Sequence, residues 1–431
     1  MSSIKKNNYL KRLTIALLAC GLTSVVWAAE PVQAESLSEA ITGGKPLVQF
    51  RARYEHVNQD GKLEDANAWT LRSLLGWQTK PFHDFSVTAQ IINLTQLNHA
   101  FYDNDRGLGL ASSYPTVQDP EITDINQLYV DYIGLPQTRV RLGRQIVQLD
   151  NVRFVGDVIF RQDSQVFDGI SVVNTSLPDV ELMAAHFERL RQTTTKLRDT
   201  SLDMLHVSWK FSPTESLAGY GYFQDQPVTG QATGFADNSN RILGMRLDGA
   251  HQVDAQWKVL YTAEYAKQDN YQNGDSRIDA HYSRLGGGAN WNGWYARVDR
   301  EVLSSKNGLY GFQTPLATLH PFQGWADMFT TTPKDGIKDT YLSLGGKVLD
   351  VSLSGEWHSF DADNDFATIG GTASHYGSEL DLAAAYNLSK QLIGKMEYAN
   401  FHEGDIYGTT AAASSRKRDT EKFWLTLIYT Y

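Results

Sequence analysis

Arginine is the residue type in this chain whose spacing could do chemistry. Arg139, Arg141 and Arg144, then Arg153 and Arg161, crowd into the stretch 139–161. A guanidinium is permanently charged and presents a planar donor fork that matches a carboxylate. These side chains could therefore grip an anionic solute, or they could pair with the interleaved Asp150, Asp157, Asp163 and Asp168 and hold a loop. The two uses are compatible, because paired charges still shape a local field. Other constellations are weaker. A His and a Ser two residues apart can serve as base and nucleophile of a lipid hydrolase, and His206-Val-Ser208 and His281-Tyr-Ser283 have that spacing. Such a pair must face lipid, yet Leu205, Val207 and Trp209 claim the apolar face of the first and turn His206 and Ser208 the other way. No catalytic residue is assigned, and the expectation is a protein that is not an enzyme. Asp361-Ala-Asp363-Asn-Asp365 begins like a calcium loop, but Phe366 stands where the turn glycine belongs and Thr372 where the bidentate Glu belongs. A solvated acidic loop is expected there, with no metal and no cofactor.

The elements that must position these residues read as β-strands, because side chains alternate in character with period two. In 47–56, Val48, Phe50, Ala52 and Tyr54 share one face and Gln49, Arg51, Arg53 and Glu55 the other. Trp69, Leu71, Leu75 and Trp77 oppose Thr70, Arg72 and Gln78; Trp257, Val259, Tyr261, Ala263 and Tyr265 oppose Lys258, Thr262 and Glu264. Trp294, Ala296 and Val298 oppose Tyr295, Arg297, Asp299 and Glu301. The pattern predicts eighteen strands, near 46–57, 67–80, 84–95, 124–134, 138–147, 165–174, 179–190, 201–211, 216–225, 240–249, 255–267, 279–290, 293–303, 338–349, 351–361, 374–387, 391–403 and 419–431. The long links 96–123, 148–164, 226–239, 304–337, 362–373 and 404–418 all fall at odd-numbered connections, whereas the turns at 80–83, 134–137 and 212–215 fall at even ones. That parity is the signature of a transmembrane antiparallel β-barrel with short periplasmic turns and long extracellular loops. Trp and Tyr near strand ends suit the headgroup level of a membrane, and aromatics make up 11% of the chain.

The N-terminus supports export. Lys5, Lys6, Lys11 and Arg12 precede an apolar run from Leu13 to Trp27 followed by small residues, so residues 1–34 read as a signal peptide and 35–431 as the barrel. Cleavage after Ala28 or after Ala34 both fit. Removing residues 1–34 takes four Lys/Arg and one Asp/Glu from totals of 39 and 49, leaving a net charge of −13, which argues against nucleic acid as a partner. The single cysteine, Cys20, lies in the signal, so no disulfide or thiolate metal site is open to the mature chain. In the leader 35–45, Ser36-Leu37-Ser38-Glu39 has capping-box spacing and Gly43-Gly44 follows as a stop. A short helix resting Leu37, Ala40 and Ile41 on the rim fits, as does an unstructured leader.

At the other end, Phe423, Leu425, Leu427, Tyr429 and Tyr431 alternate with Trp424, Thr426, Ile428 and Thr430, and the sequence stops on an aromatic. That ending resembles the terminal signal read by the outer-membrane barrel-assembly machinery. Arg141-Leu-Gly-Arg144-Gln145, Leu149-Asp150-Asn-Val-Arg153-Phe-Val-Gly156, Phe160-Arg161-Gln162 and Phe167-Asp168-Gly169 resemble the alginate-export porin family, as does Phe312-Gln-Thr-Pro315-Leu-Ala-Thr-Leu-His320-Pro-Phe-Gln-Gly324-Trp325-Ala-Asp327. The resemblance implies an eighteen-stranded monomeric barrel that passes a polyanion through an arginine-rich lumen. The second stretch is typical of the family's broad branch rather than of the alginate exporter itself, so alginate is not implied as cargo.

Strand parity then assigns the lumen. Arg51, Arg53, Arg72, Arg139 and Arg141 point inward from the first five strands, against Glu55 and Asp131. Glu264, Asp299, Glu301, Glu356, Glu379, Asp381 and Glu397 point inward from later strands, with Arg246, Lys258, Arg297 and Lys395. Arg144, Asp150, Arg153, Asp157, Arg161, Asp163 and Asp168 belong to, or flank, a third outer loop expected to fold inward as a constriction. The expected function is a passive outer-membrane channel for small or oligomeric anions, carbohydrate acids above all. The alternative is a surface interaction protein whose lumen is plugged. Membrane lipid and lipopolysaccharide are the expected surroundings, and Arg416-Lys417-Arg418 either binds lipopolysaccharide phosphates or is a solvated loop end.

Overall fold

The computed structural model describes residues 32–98, 101–105, 110–226, 235, 237–405 and 418–431. A short helix, α1 (Leu37–Thr42), leads into eighteen strands. The first nine are β1 (Lys45–Gln59), β2 (Ala66–Gln78), β3 (Phe85–Gln96), β4 (Ile122–Leu135), β5 (Thr138–Gln145), β6 (Val166–Asn174), β7 (Val180–Arg191), β8 (Leu197–Ser212) and β9 (Glu215–Asp225). They continue with β10 (Asn240–Gln252), β11 (Trp257–Asn270), β12 (Asp279–Trp291), β13 (Trp294–Leu303), β14 (Ile337–Val348), β15 (Val351–Thr368), β16 (Gly371–Asn387), β17 (Leu392–Glu403) and β18 (Thr420–Thr430). Each pairs antiparallel with its sequence neighbours, and β1 closes on β18 in a register that sets Arg51 opposite Ile428 and Glu55 opposite Trp424. Closure leaves no unpaired sheet edge, which a membrane would not tolerate.

Alternation is the reason these residues form these strands. Along β8, Leu205, Val207 and Trp209 are exposed on the outside while His206 and Ser208 are buried. On β18, Leu425, Leu427 and Tyr429 are exposed while Lys422, Trp424 and Thr426 are buried. An exposed apolar belt around a buried polar interior inverts the soluble pattern and suits a wall with lipid outside. The even-numbered connections are tight. Between β12 and β13 only Asn292 (φ 48°) and Gly293 (φ 88°) intervene, the two positive φ values of a type I′ hairpin that Asn-Gly adopts at little cost.

Three expectations needed correction. Residues 362–373 are not an outer loop: β15 runs to Thr368 and β16 starts at Gly371. The ladder is irregular between Phe360 and Phe366, and Phe366 is buried with its ring stacked on Tyr376 at 4.8 Å, so packing outweighs the acidic composition of that segment. β8 begins at Leu197 rather than near 201, extending past the membrane with an exposed Arg189–Asp199 pair at its edge. In α1, Ser36 caps the helix and Glu39 reaches back to the Glu35 N–H at 2.9 Å, but only Ala40 is buried; Leu37 and Ile41 are exposed. The three share one helix face by their i, i+3, i+4 spacing, but the rim covers only its middle residue. Of the outer segment near the last strand, Arg416 and Lys417 lie outside the described residues, and Arg418 pairs with Glu403 at 2.9 Å.

Candidate functional site: the lumen and its two inward loops

Among the described residues, the seventh outer loop folds into the barrel as well as the third. The third, residues 146–165, crosses from β5 to the far wall and returns; the seventh, residues 304–336, lies across the half of the barrel formed by β11–β18. Both carry apolar side chains that cannot stay in water. Val147, Leu149, Phe154, Val155 and Phe160 of the third loop, with Phe312, Leu316, Trp325 and Phe329 of the seventh, join wall residues in one buried cluster. Phe154 packs against Tyr220, Tyr282 and Phe312, and the Phe160 ring stacks on His320 at 3.2 Å. The loops also meet through their backbones: the Gly156 N–H donates to the Leu316 carbonyl at 2.9 Å, and the Thr318 N–H to the Val152 carbonyl at 3.0 Å. The inward role of the third loop was expected from the sequence; that of the seventh was missed, although His320, Gln323, Trp325 and Asp327 stood in a stretch already singled out for its resemblance.

Charge organises the rest. Four of the five arginines in 139–161 are paired. Arg141 pairs with Asp131 at 2.7 Å, Arg144 with Asp168 at 2.8 Å, Arg153 with Glu301 at 2.7 Å, and Arg161 with both Glu55 at 3.1 Å and Asp327 at 3.0 Å. Only one of these pairings, Arg144–Asp168, uses an acid interleaved in that stretch. Asp150 instead bonds His206 at 2.9 Å, Asp163 pairs with Arg191 at 3.0 Å, and Asp157 accepts from Gln148 at 2.8 Å. Burial pushes the Asp163 carboxyl up to about 7 against the pull of Arg191. Burial raises Asp157 as well. For Asp327 burial is outweighed by Lys422, His320 and Arg161, which hold its carboxyl below the usual range.

The early strands present a different wall. Arg51 donates to Gln162 Oε1 at 2.6 Å, to the Ile159 carbonyl at 2.7 Å and to the Arg161 carbonyl. Arg53 donates to the Phe160 carbonyl at 2.6 Å and to Thr426 Oγ1 at 3.3 Å, and Arg72 to Gln49 Oε1. The three are buried, and their partners are neutral. Arg139 is half-buried. Among the described residues, Arg51, Arg53, Arg72 and Arg139 make no ion pair. Carbonyls 159–161 of the third loop have no strand to bond, and Arg51 and Arg53 satisfy them, so these two guanidiniums hold the loop while keeping their charge.

The later wall is mixed. Arg246 bridges Asp248 and Glu264, Arg297 and Arg284 converge on Asp299, and Lys395 pairs with Glu397 at 2.5 Å. Lys258 is half-buried without an ion pair among the described residues. Glu379 and Asp381 are buried and accept the N–H groups of Ala326 at 2.6 Å and Trp325 at 3.2 Å from the seventh loop. Arg191, Arg284 and Lys422 were missed by the sequence reading. Alternation alone would have turned Arg284 and Lys422 inward, but a bulge between Phe187 and Arg189 resets the face of Arg191.

The hydrolase and calcium readings find no assembled site. His206 and Ser208 face the interior, with His206 engaged by Asp150, and His281 is exposed beside the Tyr265 ring. Among the described residues no hydrogen bond joins either His to its Ser. Asp361 pairs with His375 and Asp363 accepts from the Ser305 N–H, while Asp365 is exposed, so the three do not converge. The terminal residues Phe423, Leu425, Leu427, Tyr429 and Tyr431 line the outer face of β18, with Tyr431 just past its end.

A closed barrel of eighteen antiparallel strands, lipid-facing outside and narrowed by inward loops, defines an outer-membrane barrel of the porin and channel class. The model of the family described as Alginate export matches residues 48–300, well over half of the sequence, and the chain belongs to that family. The match contains the 141–169 stretch and stops short of the 312–327 stretch. Among solved structures, Pseudomonas aeruginosa OpdQ is similar with a TM-score of 0.68 at 14% identity, covering 91% of this chain and 99% of that one. Acinetobacter baumannii OccAB2 follows with a TM-score of 0.67 at 13% identity, over 91% and 99% of the two chains. Pseudomonas aeruginosa OpdK, solved with vanillate, gives a TM-score of 0.65 at 12% identity, over 90% and 98%. Identities this low show the fold alone. Among curated proteins there is no match.

Proposed function

We propose that this barrel is a passive diffusion channel for small organic anions, with carbohydrate acids and their short oligomers as the first candidates. One observation carries the reading: Arg51, Arg53, Arg72 and Arg139 on the early strands are in no ion pair among the described residues, while the acids of those strands, Glu55 and Asp131, are taken up by Arg161 and Arg141. A guanidinium bonded only to neutral groups is not cancelled by a contact ion pair, and low-dielectric walls focus what field the more distant loop carboxylates leave across the lumen. The net negative charge of the chain does not oppose this, since charges beyond a screening length of about 8 Å contribute little at the constriction. OpdK's vanillate is an aromatic carboxylate, so aromatic acids join uronates in the set to test. In this reading residues 1–34 direct export and are removed, β18 engages the assembly machinery, the barrel works as a monomer in lipid and lipopolysaccharide, and no cofactor takes part.

A second reading, a surface interaction protein with an occluded lumen, is favoured by the continuous apolar contact between the third and seventh loops. Planar bilayers separate the two. The channel reading expects discrete conductance steps and a reversal potential favouring chloride over potassium in a salt gradient. Arg72→Ala with Arg139→Ala should move the ratio toward cations more than Arg141→Ala, whose charge Asp131 already offsets. Absence of conductance from folded barrels would establish occlusion instead, and cation preference in the unaltered protein would remove the arginine wall as the basis of selectivity.

A further inference from the structure

On the inner faces of β15 and β16, three acids and one histidine share a two-by-two patch. Glu356 stands directly opposite Asp381, and His358 directly opposite Glu379. All four are buried, with Glu356 3%, His358 2%, Glu379 1% and Asp381 0% exposed. Like charges facing each other across a strand pair are destabilising, and burial removes the water that would screen them. Positive charge is needed there, and the imidazole can supply it as a proton or by sharing a bound ion. His358 Nδ1 lies 3.0 Å from both Asp339 oxygens, and the tautomer that donates this proton to the carboxylate leaves Nε2 bare. That Nε2 makes no hydrogen bond and lies 3.5 Å from Glu356 Oε2 and 3.5 Å from Asp381 Oδ2.

We infer that Glu356, His358 and Asp381 hold a divalent transition ion of the zinc type, which ties the seventh loop to the β15–β16 wall. The donor atoms lie within 4.8 Å of one another. Ligands about 2.0–2.1 Å from a tetrahedral ion sit about 3.4 Å apart, close to the two distances found here. The supporting contacts are those a metal-binding site requires. Asp339 orients the imidazole in a carboxylate–histidine–metal arrangement. The Ser343 hydroxyl donates to Glu356 Oε1 at 2.8 Å, leaving Oε2 to ligate, and the Trp325 N–H donates to Asp381 Oδ2. Asp381 Oδ1 is buried without a hydrogen-bond partner among the described residues. Because Trp325 and Ala326 bond these same carboxylates, the ion and the loop backbone share one anchor.

The test uses the full-length barrel in detergent, stripped with a chelator and titrated with cobalt(II). Saturation at one ion per barrel, with visible ligand-field absorption and displacement by zinc, is expected. His358→Gln should abolish that absorption, and Asp339→Asn, which keeps the imidazole but loses its orienting carboxylate, should weaken binding about 10- to 100-fold. The unaltered barrel decides the matter even if a variant fails to fold. No saturable absorption at one equivalent, or a titration indifferent to both substitutions, overturns the site and leaves His358 as a protonated counter-charge.

Discussion

Replacing Arg161 by alanine isolates what holds the third loop in the lumen. Among the described residues Arg161 is the one side chain bonded to the carboxylate of Glu55, which is fully buried on β1, through hydrogen bonds of 3.2 and 3.1 Å. It also reaches Asp327 of the seventh loop, but Asp327 keeps Lys422 and His320, each at 3.0 Å. The substitution therefore strands one carboxylate rather than two. Leaving a buried charge uncompensated costs about 3–5 kcal/mol, equivalent to a factor of about 10²–10⁴ in the ratio of detached to docked loop. The cost falls on local opening, because the eighteen-stranded ladder does not pass through this contact. Hydrogen exchange reads it at the Val158 N–H, which donates to Thr318 Oγ1, and at the Gln162 N–H, which donates to Asp119 Oδ1. Their protection should fall by about two to four orders of magnitude in Arg161→Ala and recover in large part when Glu55→Gln is added, since a neutral amide loses far less on burial. Protection unchanged by Arg161→Ala, or a double variant no better than the single one, would refute the argument.

Other outcomes follow from the same structure. On β8, Leu205→Arg puts a charge on the lipid face and should cost about 2–4 kcal/mol at mid-membrane depth, whereas Ser208→Arg faces the interior and should alter conductance more than folding yield. Heat-modifiable gel mobility measures the first and single-channel recording the second. Deleting 423–431 should abolish folded barrel in the outer membrane, because β18 supplies the closing pair to β1; normal assembly would count against the terminal strand as an assembly signal. The Asp163 carboxyl, raised by burial from 3.8 to about 7, favours its protonated form in the docked loop. That stabilisation is complete below 3.8 and is lost as pH rises through about 7, so loop protection, corrected for intrinsic exchange, should decline across that window, less steeply in Asp163→Asn and least in Asp157→Asn with Asp163→Asn.

Eighteen strands, their faces and the parity of their connections were legible in the sequence because a barrel wall is a local rule. Each residue faces lipid or interior according to its neighbour, so Leu205 and His206, or Leu425 and Trp424, could be assigned without knowing what lay across the lumen. Where the rule broke, at the bulge before Arg189 and in the strand extension past Asp361, the deciding contacts were not local. Which charges are free was not legible at all. Arg51 and Arg161 look alike in sequence, yet one meets loop carbonyls and the other a glutamate more than a hundred residues away. The gathering of Glu356, His358 and Asp381 likewise depends on the register of β15 against β16 and on the Asp339 of a third strand. Sequence determined the wall, since alternation encodes it residue by residue; only the tertiary structure decided what fills the lumen, since two loops fold into it by burying apolar side chains against partners that the chain order keeps far apart.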